Sequence, residues 1–514
     1  MMEFISNTLA IFVVTVVLLI TWIYMNIRRP PGMPPGPTPY PIIGNMPMLM
    51  GNLPPQILLM DSTKKYGPLI SVKFGSFWSV VINSYELVQE ALLMKPDDFS
   101  GRPHMYLNFT CIVSFALYLR YFSTKEYKMA KDIAFSQPTP TWKLHRKLAH
   151  TAIRKFATGV YLENLIDDVR PRLSDVMQSK ASAPFDPKEI ITLAVYNVIA
   201  SMCFGRKYEF NDPELLRLID LSKEVNEDLG NGTAADFIPW FRFFPNPTIK
   251  RVKATMSEFL DIISREVKTH LSCEEDRPAN DLIDLLLQAQ KEAKSEESID
   301  ANCTLTDVHI KQIVSDLFGA GTDTTTVTLL WGIGCLVDNP EIQEKIKTEI
   351  DEVIGDRTPR LSDRGKLPYT EATIMETMRF GTVLPLGVPH RAVTDSSIGS
   401  CRIPEDTWVF INHWALHNDP KYWDAPEEFR PERFLDSSHS IKQRLPSFLP
   451  FSTGRRVCVG EALAKAEVFL IFVWLIQNYK FAKPPGVEGP LTVCGNPQGL
   501  NFPKPYQVTA ALRE

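Results

Sequence analysis

The first hydrophobic pattern in the chain is one unbroken apolar run. Residues 4–27 carry no charged side chain, and Leu9–Met25 is almost entirely apolar. A bilayer core of about 30 Å is spanned by about 20 such residues in a helix. A cleaved signal peptide is the alternative, but no basic segment precedes the run and no small-residue cleavage site follows it. Arg28 and Arg29 come next, so the pattern favours an uncleaved transmembrane anchor over 4–27 whose C-terminal side faces the cytosol.

A proline-rich segment follows the apolar run. Residues 28–41 read RRPPGMPPGPTPYP. Proline fixes φ and removes a backbone donor, so this segment predicts a stiff, extended spacer rather than a helix. A disordered linker is the alternative, and the aliphatic residues that follow directly argue against it.

Beyond the spacer, the pattern changes from short β-branched runs to long helical periods. Leu69–Phe74 and Trp78–Ile82 are short, β-branched and bounded by turns, which predicts two strands. Strand-like runs return over 388–412, and a coil rich in proline and aromatic residues spans 419–455. Helical periods lie near 140–157, 161–179, 188–204, 213–229, 248–272, 279–292, 304–338, 340–354, 368–380 and 459–478. The pattern therefore predicts one large domain over 42–514, mainly α with small β-sheets.

One segment interrupts this pattern between Arg102 and Trp142. An apolar stretch, Phe109–Leu119, is followed there by a charged one. The apolar part is too short to span a membrane as a helix. An inserted loop and an error in the gene model are both open interpretations.

Composition narrows the class of protein. Of the 514 residues, 44% are hydrophobic and 22% are charged, which excludes global disorder and a coiled coil. Lys and Arg number 55 against 60 Asp and Glu, and the formal net charge of −5 argues against a nucleic-acid-binding protein. The eight cysteines include no C-x-x-C pair, so we expect no zinc ribbon, no CxxC redox site and no disulfide framework.

One cysteine is distinguished by its neighbours. Cys458 lies between Gly454 and Gly460, with two arginines before it and a helical period after it. A thiol near cations and a helix N-terminus has a lowered pKa, so a thiolate is predicted. The glycines permit tight turns and the close approach of a flat partner, and Phe451 can pack against the sulfur. A buried structural cysteine is the alternative.

Residues 451–460, FSTGRRVCVG, resemble the haem-ligand signature of the cytochrome P450 family position for position. The resemblance implies a cytochrome P450 fold behind an N-terminal transmembrane helix. It also implies a b-type haem whose iron is bound by the thiolate of Cys458, a ligand that favours O–O cleavage in this family.

A second motif agrees with this resemblance. Glu376 and Arg379 are three residues apart, so their side chains can pair on one helical face. Alone, such a pair is typical of a solvated surface. The later Pro431-Glu432-Arg433-Phe434 resembles the meander motif of the family, which implies that Glu376, Arg379 and Arg433 interlock and brace the haem-binding loop.

A third motif lies inside the longest helical period. Small residues there are followed by Asp323 and Thr324, which are poor choices for a helix interior. The Thr324 hydroxyl can return to a carbonyl one turn earlier and bend the helix. A polar kink in a core helix is one interpretation. The resemblance implies instead that Asp323 and Thr324 deliver protons to dioxygen, and that Ala320 and its flanking glycines leave space over the haem.

Several basic or donor residues match positions that contact the haem propionates in the family. Buried propionates require cations or hydrogen-bond donors. The resemblance assigns this role to Trp142 and Arg146, to Arg456, and less specifically to Arg102 and His390. For His390, an ordinary surface histidine is the alternative.

The resemblance implies a monooxygenase that hydroxylates an apolar small molecule. Stretches such as WKLHRKLA and FGAGTDTTT are similar to those of steroid 17-alpha-hydroxylases, so we expect a steroid substrate. Asp228 stands where that branch has an asparagine for the polar end of the steroid, and a carboxylate accepts a hydrogen bond but cannot donate one to a ketone. The alternatives are oxidation of xenobiotic or aromatic compounds, and a haem-bound binder inactivated by the insertion before Trp142.

The resemblance also implies partners and a location. No flavin or nicotinamide motif stands out, so electrons from NADPH are expected through NADPH–cytochrome P450 reductase, with cytochrome b5 as a further candidate partner. Basic residues of the 140–157 period could attract an acidic flavoprotein, and a solvated helix face is the alternative. The expected location is the endoplasmic reticulum membrane, with the catalytic domain in the cytosol.

Overall fold

The structure is a computed structural model. It describes residues 2–49, 51, 53–103, 132–157, 160–180, 183–231, 233–272, 279–295, 305–495 and 499–513. The core of the predicted insertion before Trp142, residues 104–131, lies outside the described residues.

Helices make up most of the described chain, as the periodicity predicts. The α-helices are α1 Met2–Ile27, α2 Met46–Leu49, α3 Pro55–Asp61, α4 Thr63–Tyr66, α5 Tyr85–Gln89, α6 Pro140–Ala157, α7 Val160–Ser179, α8 Pro187–Phe204, α9 Pro213–Asn231, α10 Ala234–Phe237, α11 Pro247–Leu271, α12 Leu282–Ser295, α13 Asp307–Asp338, α14 Pro340–Val353, α15 Pro368–Gly381, α16 His413–His417 and α17 Glu461–Asn478. Short 3₁₀ turns lie at Pro239–Phe243, Leu361–Asp363, Pro431–Phe434 and Gly454–Arg456, and a π turn at Glu90–Met94.

The strands are short and form small sheets. They are β1 Leu69–Phe74, β2 Phe77–Ile82, β3 His390–Arg391, β4 Ser396–Ile398, β5 Cys401–Ile403, β6 Trp408–Ile411, β7 Tyr479–Ala482 and β8 Thr509–Leu512. The two predicted early strands and the strand-like runs over 388–412 are confirmed. The pairing of β7 with β8 was not predicted, because the partner strands are short and distant in sequence.

Contacts divide the chain into two compact units. The first comprises Met1–Tyr106, Thr233–Pro245 and Leu386–Ala415, and the second comprises Leu107–Gly232, Asn246–Pro385 and Leu416–Glu514. Both units contain parts of the predicted domain.

The first unit contains a four-stranded sheet. Its order is β1-β2-β6-β3, in which β2 and β6 run parallel and the other neighbours run antiparallel. The proline-rich segment is not helical, as predicted, and it lies along β1. The Ser71 hydroxyl donates to Pro34 O (2.7 Å), and the Ser71 N–H donates to Pro35 O (2.9 Å). Two residues further along β1, the Lys73 N–H donates to Asn45 Oδ1 (2.8 Å).

Helix α1 is continuous over the predicted anchor, and its described apolar side chains are mostly exposed, including Ile11, Leu18 and Trp22. Near its end, the Lys73 ammonium donates to Asn26 O (2.5 Å) and Oδ1 (3.1 Å). Within the described residues, no helix combines the length and the hydropathy required of a membrane span.

The second unit is built around α13, which packs against α8, α15 and α17. Its N-terminus is closed by a capping box in which the Thr306 N–H donates to His309 Nδ1 (3.0 Å). Helices α8 and α17 lack a polar face over most of their length and are buried there on all sides, as expected for helices in the core of a large domain. This packing places the loop before α17 on a rigid support.

Candidate active site

The loop that contains Cys458 ends at the N-terminus of α17. The Cys458 N–H donates to Phe451 O (3.0 Å), so Phe451 contributes a backbone contact to the loop. Gly454 has φ +74°, which confirms the predicted tight turn. Gly460, the N-cap of α17, has φ −91°, so its conformation does not require glycine. A Cβ at Gly460 would lie 3.8 Å from the Cys458 Sγ, in ordinary van der Waals contact.

The Cys458 residue is exposed, although protein surrounds the sulfur. This desolvation raises the pKa of the Cys458 thiol, against the opposing effects of the Gly460 and Glu461 backbone N–H groups and of the Arg146 charge. The prediction of a lowered pKa is therefore wrong for the free thiol. The predicted cation and helix N-terminus both act on the sulfur, but burial outweighs them.

The middle of α13 changes from buried to exposed. Ala320 is exposed within an otherwise largely buried helix, and a Cβ at Gly319 would meet nothing within 4 Å. Gly321 is tighter, because its Cβ would lie 3.3 Å from Ile199 Cδ1 on α8. Open space is therefore confined to the face of α13 that carries Gly319 and Ala320.

The two residues assigned to proton delivery lie next to each other on α13. The Thr324 hydroxyl donates to Ala320 O (2.7 Å), which is the predicted return to the previous turn. The Asp323 carboxylate accepts a hydrogen bond from the Tyr196 hydroxyl of α8, with 2.9 Å between the oxygens. Sequence reasoning missed Tyr196, because it lies in an apolar helix outside every motif.

Trp142 and Arg456 meet on the loop before α6. The Trp142 indole N–H donates to Ile133 O (2.9 Å). Arg456 donates to Ile133 O (3.4 Å) and to Ser136 O (2.5 Å). An indole has a single donor, so Trp142 would serve a propionate only by giving up Ile133. Arg146, one turn further along α6, donates to Val457 O beside the cysteine.

Two carboxyl groups accept backbone N–H groups of the same loop. Asp316 Oδ2 on α13 accepts the N–H groups of Ile133 (2.7 Å) and Ala134 (3.3 Å). Asp132 Oδ1 accepts the N–H groups of Phe135 (2.5 Å) and Ser136 (3.0 Å). Burial raises the pKa of Asp132, and burial together with the charge of Asp132 raises that of Asp316. Sequence reasoning missed both residues, because neither belongs to a recognisable spacing.

Arg102 and His390 lie in the first unit. Arg102 Nη1 donates to Val388 O and to Pro389 O, each at 2.8 Å. His390 Nδ1 lies 2.8 Å from Phe99 O. Because a carbonyl oxygen can only accept, Nδ1 is the donor. Both residues are buried, so the alternative of a surface histidine at position 390 is wrong.

The predicted interlock of Glu376 with two arginines is confirmed. Arg379 forms a bidentate pair with Glu376 (2.7 and 2.8 Å), and Arg433 Nε lies 3.0 Å from Glu376 Oε1. The Glu376 and Arg379 side chains are fully buried. Arg379 also donates to His417 O (2.8 Å), and Arg433 to Asp424 O (2.7 Å). The triad therefore ties α15 to the coil that leads towards the cysteine loop.

Asp228 is not free to receive a substrate group. Its carboxylate is paired with Arg251 of α11, with 2.9 Å between Oδ2 and Nε and a second contact from Nη2 to Oδ1. The Asp228 side chain is 11% exposed. The sequence predicts Asp228 as a hydrogen-bond acceptor for the substrate. In the structure, that carboxylate is instead engaged in an ion pair with Arg251.

The basic residues of α6 occupy one exposed face. Lys143, Lys147, Arg154 and Lys155 are exposed, whereas Arg146 is half-buried against the cysteine loop. Lys147 follows Lys143 by four residues, and Arg154 and Lys155 follow Lys147 by seven and eight residues. This spacing places the exposed charges on neighbouring turns of one side of the helix. This face therefore belongs to the same helix that contacts the loop of the candidate iron ligand.

Comparisons with known proteins show the family of this chain. The sequence profile described as Cytochrome P450 matches residues 34–510. A steroid 17-alpha-hydroxylase/17,20 lyase of Rana dybowskii is 37% identical over 494 residues, covering 95% of this chain and 91% of that protein. Cytochrome P450 1A1 of Homo sapiens is 36% identical over 491 residues, covering 92% of each chain. The Gallus gallus steroid 17-alpha-hydroxylase/17,20 lyase is 35% identical, with 98% of each chain covered.

The chain belongs to the cytochrome P450 family. It is mostly helical with small sheets, and it is a monooxygenase of the oxidoreductase class. The family implies a haem iron with thiolate ligation, a lipophilic substrate and a redox partner. The residues present fit that cofactor, because the Cys458 residue is exposed and its sulfur receives backbone N–H groups from the start of α17.

Proposed function

We propose that this protein hydroxylates a steroid at a haem bound through the Cys458 thiolate. The observation that carries the proposal is the position of Cys458, an exposed residue whose sulfur lies at the N-terminus of α17, beside the cationic Arg146. Two other described cysteines, Cys203 and Cys335, are buried and lie near the C-terminal ends of their helices. Burial raises the pKa of each of those two thiols, and nearby carboxylates raise it further.

The test of the ligand is the difference spectrum of the reduced protein with carbon monoxide. A thiolate ligand gives a strongly red-shifted Soret band, which we expect in the wild-type protein and not in Cys458→Ala. Cys401→Ala is the matched control, since Cys401 is a half-buried thiol of the first unit. The ligand assignment fails if Cys458→Ala keeps the red-shifted band, or if the wild type never shows it.

The haem supplies the activation of dioxygen and the insertion of one oxygen atom into the substrate. The protein side chains supply the rest of the proposed chemistry. Asp323 takes up protons and Thr324 passes them towards the oxygen-binding face of α13, where Ala320 is exposed. Arg146, Arg456, Trp142, Arg102 and His390 are proposed to hold the propionates.

A steroid is favoured as substrate by relatives named steroid 17-alpha-hydroxylase/17,20 lyase at 35–37% identity. Oxidation of other apolar or aromatic compounds is the second candidate, because cytochrome P450 1A1 of Homo sapiens is similar to this chain to the same degree, 36%, and its name specifies no steroid. The test measures the shift of the Soret band and the NADPH consumption with a panel of steroids and planar aromatics. A response to the aromatics alone would overturn the steroid proposal.

Electrons are proposed to arrive from NADPH through NADPH–cytochrome P450 reductase, with cytochrome b5 as a further partner. The support is the exposed basic face of α6, next to the residues that contact the cysteine loop. Lys147→Glu is expected to raise the KM for reductase, and high salt should weaken the wild-type interaction in the same way. Lys223→Glu, an exposed lysine on α9, is the matched control and should leave this KM unchanged.

Helix α1 is proposed as a membrane anchor in the endoplasmic reticulum, with the catalytic part in the cytosol. The support is the charge-free run over 4–27 and the exposed apolar side chains of α1. The first unit also exposes Trp240, Phe243 and Phe244 around one 3₁₀ turn, an apolar patch that suits a lipid surface. Alkaline carbonate extraction of microsomes tests the anchor, which is overturned if the full-length chain is released.

A further inference from the structure

We propose that Tyr196 is a positioning residue that fixes the orientation of the Asp323 carboxylate for proton delivery. The inference deepens the proposed function and rests on the roles proposed above for Asp323 and Thr324. It assigns a role to a residue that lies outside every motif of the sequence.

The geometry places the Tyr196 hydroxyl directly on the carboxylate. The Tyr196 oxygen lies 2.9 Å from Asp323 Oδ1, within normal hydrogen-bond distance. The Tyr196 residue is 1% exposed, whereas Asp323 is half-buried. The contact joins α8 to α13, so the orientation of a side chain on the catalytic helix depends on a neighbouring helix.

The tyrosine ring is itself held in place. It packs edge-to-face on Phe318, with 5.8 Å between the ring centroids and 79° between the planes. One turn of α8 further on, Ile199 packs against Gly321, where an added Cβ would lie 3.3 Å from Ile199 Cδ1. The two helices therefore approach closely around Tyr196, and the hydroxyl has little freedom to move.

The hydroxyl acts as a donor at all ordinary pH values. Burial raises the pKa of Tyr196 well above its usual value, and the charge of Asp323 raises it further. The hydroxyl groups of Ser222 on α9 and Thr322 on α13 also hydrogen-bond Tyr196, and both lower its pKa without outweighing burial. Because the phenol keeps its proton, it holds the Asp323 carboxylate without competing for the proton that Asp323 transfers.

Positioning matters because a group that transfers a proton must lie within hydrogen-bond reach of the atom that receives it. Asp323 is only half-buried, and its side chain has more than one staggered rotamer. The Tyr196 hydrogen bond selects one rotamer of Asp323. Removal of the hydroxyl should therefore impair proton delivery while the fold is retained.

The experiment compares Tyr196→Phe with Tyr208→Phe in the full-length, haem-loaded protein reconstituted with reductase. Tyr196→Phe removes the hydroxyl and keeps the ring on Phe318. Tyr208 is the matched control, because it is also fully buried and its hydroxyl also lies on a carboxylate, 3.2 Å from Glu214 Oε1. Thermal unfolding of both variants measures any general loss of stability.

Tyr196→Phe is expected to lower the product formed per NADPH about tenfold, below the roughly 100-fold loss typical of removing an acid–base group. The electrons from NADPH that do not lead to product should instead reduce dioxygen to hydrogen peroxide. Turnover driven by added hydrogen peroxide, which needs no proton delivery of this kind, should stay at the wild-type rate. In an Asp323→Asn background, Tyr196→Phe should add no further loss.

A readout independent of turnover is the C–O stretching band of the reduced carbon monoxide complex, which responds to polar groups near the bound gas. The band should shift in Tyr196→Phe and in Asp323→Asn, and not in Tyr208→Phe. The inference is overturned if Tyr196→Phe matches Tyr208→Phe in coupling and in this band, or if the two losses multiply in the double variant.

The failure of the proposed function gives a different result. If the wild-type protein forms no thiolate-type carbon monoxide complex, both the proposed function and this inference fail. If the wild type forms that complex and turns over with good coupling, an unaffected Tyr196→Phe variant overturns the positioning role alone.

Discussion

The Arg456 guanidinium stacks on the indole ring of Trp142, with 4.0 Å between the Arg456 Cζ and the ring centroid. Both side chains also donate hydrogen bonds to Ile133 O. A stacked, partly desolvated cation–π contact contributes about 1–2 kcal/mol. The pair therefore pins the loop over 132–136 to the residue that lies two positions before the candidate iron ligand.

Arg456→Lys is expected to loosen this loop, because lysine lacks the planar guanidinium that both stacks and donates to two carbonyls. Amide hydrogen exchange of a peptide covering 132–136 should quicken, by the equivalent of about 1–2 kcal/mol. Arg455→Lys, at the adjacent position, is the control. Equal exchange in the two variants would show that the stacked pair does not hold the loop.

Asp132→Asn is expected to stabilise the protein near neutral pH. The raised pKa values of Asp132 and Asp316 mean that the folded state binds protons which the unfolded state releases above the ordinary value of 3.8. The free energy of unfolding that the protein loses by burying these two carboxyl groups therefore grows as the pH rises from 3.8. The variant should gain on the order of 1 kcal/mol at pH 7. An advantage over wild type that shrinks between pH 4 and pH 7 in thermal unfolding would contradict this.

Glu376→Gln is expected to cost about 3–5 kcal/mol of unfolding free energy, because it leaves Arg379 and Arg433 charged, buried and without their carboxylate. Thermal unfolding and the yield of haem-loaded protein measure the effect. Asp61→Asn breaks the exposed pair with Lys64 and should cost at most about 1 kcal/mol. A similar small loss in both variants would refute the bracing role of the triad.

His270 gives a second pH-dependent prediction, for a substitution that destabilises the protein. Burial alone lowers the pKa of His270, but the hydrogen bond and charge of Asp281, with 2.8 Å between Nε2 and Oδ2, outweigh it and leave the pKa raised. The stabilisation by the pair is complete below the ordinary value of 6.5 and is lost as the pH rises through the folded value. His270→Gln should therefore lose most stability at pH 6 and least at pH 9. A loss that does not vary with pH would contradict the ionised pair.

The helices and the cysteine loop could be predicted because their signals are local. Apolar periods define α13 and α17. Gly454 marks a tight turn whose conformation depends only on residues adjacent in sequence. The Glu376 triad could also be predicted from the sequence. Its three charged residues belong to recognisable motifs, and charged side chains are rarely buried unless they pair with one another.

The missed features depend on contacts between residues that are far apart in sequence. Tyr196 and Asp323 are separated by 127 residues. No local pattern distinguishes a tyrosine that will meet a carboxylate from one that fills the core. The pKa of Cys458 was mispredicted for a related reason, because the local cations are visible in the sequence and the surrounding protein that desolvates the sulfur is not.

The contacts between Pro34, Pro35 and Ser71 have a practical consequence for shortened forms of the chain. β1 is the outer strand of its sheet, and an uncovered outer strand offers free N–H and C=O groups to a second chain. Pro35 O of the proline-rich segment accepts the Ser71 N–H, and Asn45, beyond that segment, bonds to the backbone N–H and C=O of Lys73. A truncation that removes the apolar run but begins before Pro34 keeps this cover, whereas one that begins after Asn45 would leave a sticky edge prone to aggregation.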